Sequence, residues 1–161
     1  MTDTPGTQSV VIERTLDAPV DLVWQMWTEA EHFAAWYGPM GASIPTANMD
    51  VSPGGRRLIC MEMAGPDGTM QMWFAGEYVE IDPTTRLVYT EAMADADGNV
   101  LPPEAMGMPA GAPMETRVIV ELEDLGGTTR MVMTHEGVPA DSPGAQGWQM
   151  AIDKLEARLA G

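Results

Sequence analysis

The sequence is short of the features on which several classes of protein depend. Cys60 is its single cysteine, so an internal disulfide is excluded. Eight Lys and Arg stand against 24 Asp and Glu, and the net charge of -16 would repel a nucleic-acid backbone or an anionic membrane. No apolar run approaches the roughly eighteen residues of a membrane span. The opening MTDTPGTQS has neither the basic nor the apolar part of a signal peptide, so we expect a cytoplasmic protein.

Motifs of catalysis and metal binding are also scarce. His32 and His135 are the only histidines, and with one cysteine they cannot form the usual zinc clusters. The sequence contains no HExxH pattern, GxSxG elbow, Walker loop or GxGxxG fingerprint. Strand alternation puts Cys60 on the face opposite Met61, which disfavours a Cys-His nucleophilic pair. We therefore expect no metal and no other cofactor.

The N-terminal part of the chain shows a strand followed by two short helices. SVVIERTLDAP alternates between apolar and polar residues, which predicts a first strand that ends at Pro19. Apolar residues recur at helical spacing over 20–27, so a first helix follows. Thr28 and Glu31 have the spacing of a capping box, which predicts that a second short helix begins there and stops at Gly38.

The middle of the chain is divided by tight turns, and its end is a helix. Each turn holds residues that preset a turn or tolerate positive φ, so successive strands should be antiparallel and joined as hairpins. From Pro143 the spacing predicts a closing helix with Trp148, Ile152, Leu155 and Leu159 on one stripe. The turn clusters are PGG at 53–55, GPDG at 65–68, DPTT at 82–85 and DLGG at 124–127.

The length of 161 residues suits a single domain, 1–161, in which residues 1–8 form a flexible tail. Segment 94–115 is too long for an ordinary hairpin and holds four prolines. A loop of this kind is usually a lid or a disordered segment. As a lid, it would place Met106, Met108 and Met114 over a bound molecule.

The order of elements resembles the helix-grip fold of the START-like superfamily. The stretches APVDLVWQMWTEAEHFAAWYGP, GEYVEIDPTTRLVYTE, LEDLGGTTRMVMTHEG and GWQMAIDKLEARL are similar to those of SRPBCC proteins related to the C-terminal domain of the activator of the heat-shock-protein-90 ATPase. The resemblance implies an α+β fold in which a curved antiparallel sheet of about seven strands grips the long C-terminal helix. It also implies a hydrophobic cavity between sheet and helix. The superfamily includes ligand carriers, aromatic polyketide cyclases and cochaperone domains.

Alternation along the strands indicates which side chains would line such a cavity. The faces that carry methionine should point inward, including Met70, and methionine adapts its shape to varied ligands, although methionine stripes also fill ordinary cores. Trp36, beside the helix-breaking Gly38, is expected at the mouth of the cavity. The predicted lining consists of Trp36, Ile59, Met61, Met63, Met72, Phe74, Tyr89, Glu91, Met133, His135, Trp148 and Ile152.

His135 and Glu91 are the polar members of this set. His135 alternates with Met133, so its imidazole would offer a polar contact in an apolar pocket; the alternative is a histidine bonded to nearby backbone. Glu91 either faces the cavity or is a rim carboxylate in contact with water.

The favoured function is the binding of a small hydrophobic molecule, aromatic ones included, under the C-terminal helix. One alternative is a cyclase-like enzyme in which Glu91 and His135 position or deprotonate a polyketide-like substrate. The other is a cochaperone-type interaction module, which the resemblance suggests.

Overall fold

The sheet and helices follow the predicted order. The computed structural model describes residues 9–38, 41–66, 68–101, 115–138 and 143–160. The elements in chain order are β1 (Ser9–Leu16), α1 (Val20–Thr28), α2 (Ala30–Trp36), β2 (Ser43–Met49), β3 (Arg56–Gly65), β4 (Gly68–Asp82), β5 (Arg86–Ala94), β6 (Thr116–Asp124), β7 (Thr129–Glu136) and α3 (Pro143–Ala160).

The seven strands form one curved antiparallel sheet in the order β1-β7-β6-β5-β4-β3-β2. The two short helices carry the chain from β1 at one edge to β2 at the other. All four predicted turns fall between consecutive strands, as expected for hairpins. In the turn between β6 and β7, Gly126 and Gly127 have φ values of 86° and 107°, a conformation that glycine adopts without strain.

The interior lies between one face of the sheet and the helices. Alternate residues of the strands are buried on this face, as in β7, where Met131 and Met133 are fully buried. The helices contribute their tryptophans. The ring of Trp27 in α1 lies 4.7 Å from that of Trp36 in α2 and 6.1 Å from that of Trp148 in α3. Aromatic packing therefore joins all three helices above the sheet.

The predicted stripe on α3 is confirmed. Trp148, Ile152 and Leu155 are buried in the core, and Leu159 is half-buried against it. On the polar side of the helix, Arg14 of β1 forms ion pairs with Asp153 and Glu156.

Two local predictions are wrong. The capping box does not form, because α2 begins at Ala30 after Glu29, and the Thr28 hydroxyl donates instead to the carbonyl of Trp24 in the last turn of α1. Met70 does not point inward: it is 52% exposed, since it lies at the hairpin end of β4, where the first four residues of the strand are all exposed.

Parts of the predicted tail and lid fall outside the described residues. These are residues 1–8, and residues 102–114 with Met106, Met108 and Met114. The beginning of segment 94–115 forms a tight turn. The Asp95 carboxylate accepts hydrogen bonds from the backbone N–H groups of Asp97 and Asn99.

Candidate functional site

A buried arginine occupies the centre of the candidate site. The Arg57 side chain is 1% exposed, and its guanidinium carbon lies 3.8 Å from the ring centroid of Tyr89 and 5.9 Å from that of Tyr78. Its Nη1 lies 3.5 Å from Oε2 of Glu91 but makes no hydrogen bond with it. The Glu91 carboxylate instead accepts a 3.0 Å hydrogen bond from the hydroxyl of Tyr37. We call these five residues the arginine cluster.

Local strand geometry explains why Arg57 points inward. It shares a face of β3 with Ile59 by alternation, and it pairs across the sheet with Gly76 of β4. A Cβ atom at Gly76 would overlap the carbonyl oxygen of Thr90, so only glycine lets β4 approach β5 this closely. A register shift follows directly after Tyr78.

Charge in the cluster is confined to one pair. Burial opposes ionisation of Arg57, but the surrounding groups, Tyr89 first and then Tyr78 and Glu91, raise the pKa of its guanidinium above the usual value. Burial also raises the pKa of Tyr37, Tyr78 and Tyr89 above that of a free phenol, and the Glu91 charge raises that of Tyr37 further. The guanidinium is therefore charged and the three phenols are neutral near pH 7.

The arginine cluster has more donors than the protein satisfies. Nε and Nη1 of Arg57 and the hydroxyls of Tyr78 and Tyr89 are buried without a hydrogen-bond partner in the part of the chain that the structure describes. Buried polar groups nearly always have partners, and each one left without costs roughly 1 to 3 kcal/mol. The three side chains lie close together, since the rings of Tyr78 and Tyr89 are themselves 5.9 Å apart. The cluster therefore holds, close together, buried donors that the described part of the chain leaves without acceptors.

A second set of polar groups, buried except for the half-buried Thr116, lies beside the first. The indole N–H of Trp148 donates to Nδ1 of His135 at 2.9 Å, and Nε2 of His135 lies 2.7 Å from the hydroxyl of Thr116. That hydroxyl donates to the backbone carbonyl of Glu91 at 3.1 Å. We call Trp148, His135 and Thr116 the histidine cluster.

The hydrogen bonds of the histidine cluster define its protonation. An indole N–H can only donate, so Nδ1 of His135 carries no proton, and Nε2–H donates to Thr116. The imidazole is thus neutral and both its nitrogens are bonded. Burial lowers the pKa of His135; Glu91 opposes this shift and the Arg57 charge adds to it.

The predicted lining residues all lie in this interior. One detail differs from expectation. Trp36 is not at a mouth but fully buried, and its indole donates to the carbonyl of Met26 at 2.8 Å. Of the two alternatives for Glu91, its 7% exposure agrees with an inward-facing carboxylate and excludes a rim position in contact with water. The buried members are Trp36, Ile59, Met61, Phe74, Tyr89, Glu91, Met133, His135, Trp148 and Ile152, and the half-buried ones are Met63 and Met72.

Three members of the arginine cluster are absent from the predicted set. Arg57 stands two residues before Ile59, so strict alternation on β3 would have placed it inward with Ile59. Tyr78 has an even spacing from Met72 and Phe74 on β4, so alternation would place it on the same inward face. Tyr37 follows α2 directly and has no strand pattern to mark its direction.

Two kinds of feature are absent from the described residues. None of them forms a group of three or more His, Cys, Asp or Glu side chains that could hold a metal ion. Among the helices that the structure describes, none is long and apolar enough to cross a membrane.

Together, the curved seven-stranded sheet, the two short helices after β1 and the C-terminal helix define a helix-grip protein of the START-like class. The sequence identifies the family within that class. Residues 17–160 match the family described as Activator of Hsp90 ATPase homolog 1-like protein, and the chain belongs to that family.

Solved structures share the fold over nearly the whole chain. A protein of Chromobacterium violaceum is 24% identical, with 96% of this chain and 98% of the other covered and a TM-score of 0.75. A protein of Nitrosomonas europaea is 25% identical over 99% and 98%, with a TM-score of 0.74. The AHSA1 protein of Silicibacter pomeroyi is 19% identical over 94% and 97%, with a TM-score of 0.69. No curated protein matches the chain.

Proposed function

We propose that the protein binds a small hydrophobic molecule, aromatic ones included, in the interior between the sheet and α3. One observation carries the proposal: the buried arginine cluster, with four donor atoms that find no acceptor in the described chain. A packed core avoids such atoms. Ligand pockets, by contrast, are mostly apolar and contain a few convergent polar groups.

The apolar side chains around the cluster suit a ligand of adaptable shape. Met61 and Met133 are buried on the same side of the sheet as Tyr89, and Met63 and Met72 are half-buried beside the core. Methionine is flexible and polarisable, and it is common on surfaces that accept varied partners. The predicted lining residues therefore remain our proposal for the ligand contacts, with Arg57, Tyr37 and Tyr78 added.

The geometry favours binding over a cyclase-like reaction that uses His135 as a base. A general base needs a free acceptor within hydrogen-bond reach of the proton that it removes. In His135, Nδ1 is occupied by Trp148 and Nε2 by Thr116. We assign His135 the role of joining α3 to the sheet beneath the ligand.

Mass spectrometry of the purified protein, denatured to release bound molecules, tests this proposal. We expect a small hydrophobic molecule from the parent and much less of it from the charge-neutral variant Arg57→Met/Glu91→Gln. The matched control is Arg86→Met/Glu121→Gln, which removes an exposed ion pair of 2.8 Å and should keep the molecule. Equal release from both variants would contradict a site at the arginine cluster.

Thermal unfolding with added ligand gives an independent measure. A molecule at about 100 times its Kd stabilises the folded protein by about 2.7 kcal/mol. We expect such a shift for the parent and for the control, and a much smaller shift for Arg57→Met/Glu91→Gln. If no molecule copurifies and none of a broad panel of small hydrophobic compounds shifts the parent, the binding function is wrong.

A further inference from the structure

We propose that the ligand is uncharged and presents an oxygen acceptor, such as a ketone or ester carbonyl, to Arg57, Tyr78 and Tyr89. This inference rests on the proposed binding function and adds the chemistry of the ligand's polar end. It follows from two properties of the arginine cluster: its excess of donors and its balance of charge.

The excess of donors selects for an acceptor. Nε and Nη1 of Arg57 can only donate, and neither has a hydrogen-bond partner among the described residues. The hydroxyls of Tyr78 and Tyr89 can each donate one further hydrogen bond. A hydrocarbon would leave all these groups without partners, and a ligand donor would meet no acceptor at the guanidinium. A carbonyl oxygen, with two lone pairs, accepts from two of them at once.

Tyr37 keeps the Arg57 donors available. Its hydroxyl holds Oε2 of Glu91 at 3.0 Å, while the nearest guanidinium nitrogen stays 3.5 Å from that oxygen without a hydrogen bond. Glu91 therefore neutralises the charge of Arg57 without satisfying its N–H groups. The centroid of the Tyr89 ring lies 3.8 Å from the guanidinium carbon, so the ring stabilises the positive charge. The ring offers no hydrogen-bond acceptor in the plane of the guanidinium group, where its N–H groups donate.

The balance of charge selects against an anion. Arg57 contributes one positive charge and Glu91 one negative charge, while the three phenols and His135 are neutral. Lys154 of α3 is half-buried and lies at the edge of the cluster, where its Nζ donates to the backbone carbonyl of Tyr37 at 3.4 Å. A ligand carboxylate would place a second negative charge near Glu91 in a low-dielectric interior. The repulsion between the two carboxylates would favour the uptake of a proton by one of them on binding. An uncharged acceptor needs no proton.

Three compounds of one shape test this chemistry. Methyl 2-naphthyl ketone carries an uncharged acceptor, 2-isopropenylnaphthalene replaces its oxygen with CH₂, and 2-naphthoate replaces its methyl group with a charged oxygen. Their affinities can be measured by quenching of the intrinsic tryptophan fluorescence. Because hydrogen bonds to charged groups are stronger than neutral ones, we expect the parent to bind the ketone roughly ten- to a hundredfold more tightly than the alkene.

Variants identify the donors. Arg57→Met/Glu91→Gln should bind the ketone and the alkene with equal affinity, and Tyr89→Phe, which removes only an unpartnered hydroxyl, should reduce the preference severalfold. The exposed Arg86→Met is the matched control and should keep the full preference. The ketone's affinity should not change with pH, whereas that of 2-naphthoate should fall about tenfold for each unit of rising pH if its binding takes up one proton.

The outcomes separate this inference from the binding function. Equal binding of ketone and alkene by the parent, or tightest binding of 2-naphthoate without proton uptake, would overturn the inference and leave the binding function intact. Failure of the parent to bind any of the three would count against the binding function, and the inference would fall with it.

Discussion

The histidine cluster and the arginine cluster lie in the same interior, yet they differ in how completely their polar atoms are hydrogen-bonded. In the histidine cluster, each donor meets an acceptor from Trp148 through His135 and Thr116 to the backbone of β5. In the arginine cluster, four donor atoms meet no acceptor among the residues that the structure describes. Complete satisfaction is what a structural contact needs, because it stabilises the fold without a partner. Polar groups left without partners cost stability, so a protein retains them only where another advantage compensates for that cost. Binding is such an advantage.

Glu91 joins the two clusters but takes part in each through a different group. Its backbone carbonyl accepts from Thr116, and its carboxylate accepts from Tyr37 and faces Arg57. Substitution of its side chain therefore disturbs the arginine cluster and leaves the backbone bond to Thr116 in place. This separation allows each cluster to be broken alone.

The largest expected effect comes from removing the helix that holds the histidine cluster to the sheet. A chain truncated after Gly147 loses Trp148, Ile152 and Leu155, all buried, and each such side chain contributes roughly 1.5 to 3 kcal/mol. The loss is comparable with the whole stability of a typical domain, about 5 to 15 kcal/mol. We expect no cooperative transition in urea unfolding followed by circular dichroism.

A shorter truncation is the control for this experiment. Removing residues 159–161 takes away only the half-buried Leu159 from the packed stripe and should preserve cooperative unfolding. A chain truncated after Gly147 that still unfolds near the parent's midpoint would show that the arginine cluster and its strands fold without α3.

The next effect isolates the arginine cluster. Glu91→Leu leaves the Arg57 charge buried without its counter-ion, which should cost about 3 to 5 kcal/mol of unfolding free energy in urea. The double variant Arg57→Met/Glu91→Leu removes both charges and the two Arg57 nitrogens that have no hydrogen-bond partner among the described residues. Its stability should return to that of the parent or exceed it, since replacing a buried ion pair by apolar residues is often neutral or stabilising.

The exposed Glu121 is the control for Glu91. It pairs with Arg86 at 2.8 Å on the outside of the sheet, and Glu121→Leu should change stability by less than about 1 kcal/mol. If the double variant is instead as unstable as Glu91→Leu, the pair serves the fold and is not retained for a ligand.

A smaller pair of effects compares one hydroxyl from each cluster. Thr116→Val removes the acceptor of His135 Nε2–H and the donor to the Glu91 carbonyl, so we expect a loss of roughly 1 to 3 kcal/mol. Tyr89→Phe removes a hydroxyl that has no partner among the described residues and should cost less than about 0.5 kcal/mol. Urea unfolding of both variants gives the comparison. Equal losses would mean that the Tyr89 hydroxyl has a partner and that the two clusters do not differ.

The sequence predicts the fold better than it predicts this difference. Turn residues define the hairpins, and alternation places Tyr89, Glu91 and His135 inside. Both signals are local, because the face to which a side chain points depends only on its position along its own strand. Which atoms meet across the interior is not local. Trp148 reaches His135 only because α3 docks on β7, and no spacing in the sequence specifies that contact.

Arg57 was missed for a different reason. A charged residue on a strand is expected to face water, and burial of an arginine goes against that rule. Only the alternation with Ile59 pointed inward. The capping box failed for a local reason, because the Thr28 hydroxyl donates to the carbonyl of Trp24 within α1. For Arg57, by contrast, the general rule of exposure is overridden by tertiary packing against Tyr89 and Glu91.

The smallest expected effect is a pH dependence that belongs to the histidine cluster. His135 has a lowered pKa in the fold, because it is buried and Arg57 adds to the shift against the opposing Glu91. In the unfolded chain its pKa is about 6.5. As pH falls below that value, the unfolded state binds a proton that the folded state resists, so stability decreases until the folded pKa is reached; above about pH 6.5 this group adds no pH dependence. Between about pH 7.5 and about pH 5.8 the loss is at most about 1 kcal/mol.

In urea unfolding over this interval, His135→Gln should remove the decrease in stability. His32→Gln is the control and should retain the decrease, because Arg158 donates to the His32 ring at the surface. A decrease that disappears with His32→Gln and persists in His135→Gln would mean that His135 accepts its proton in the fold, which the donated indole N–H of Trp148 should prevent.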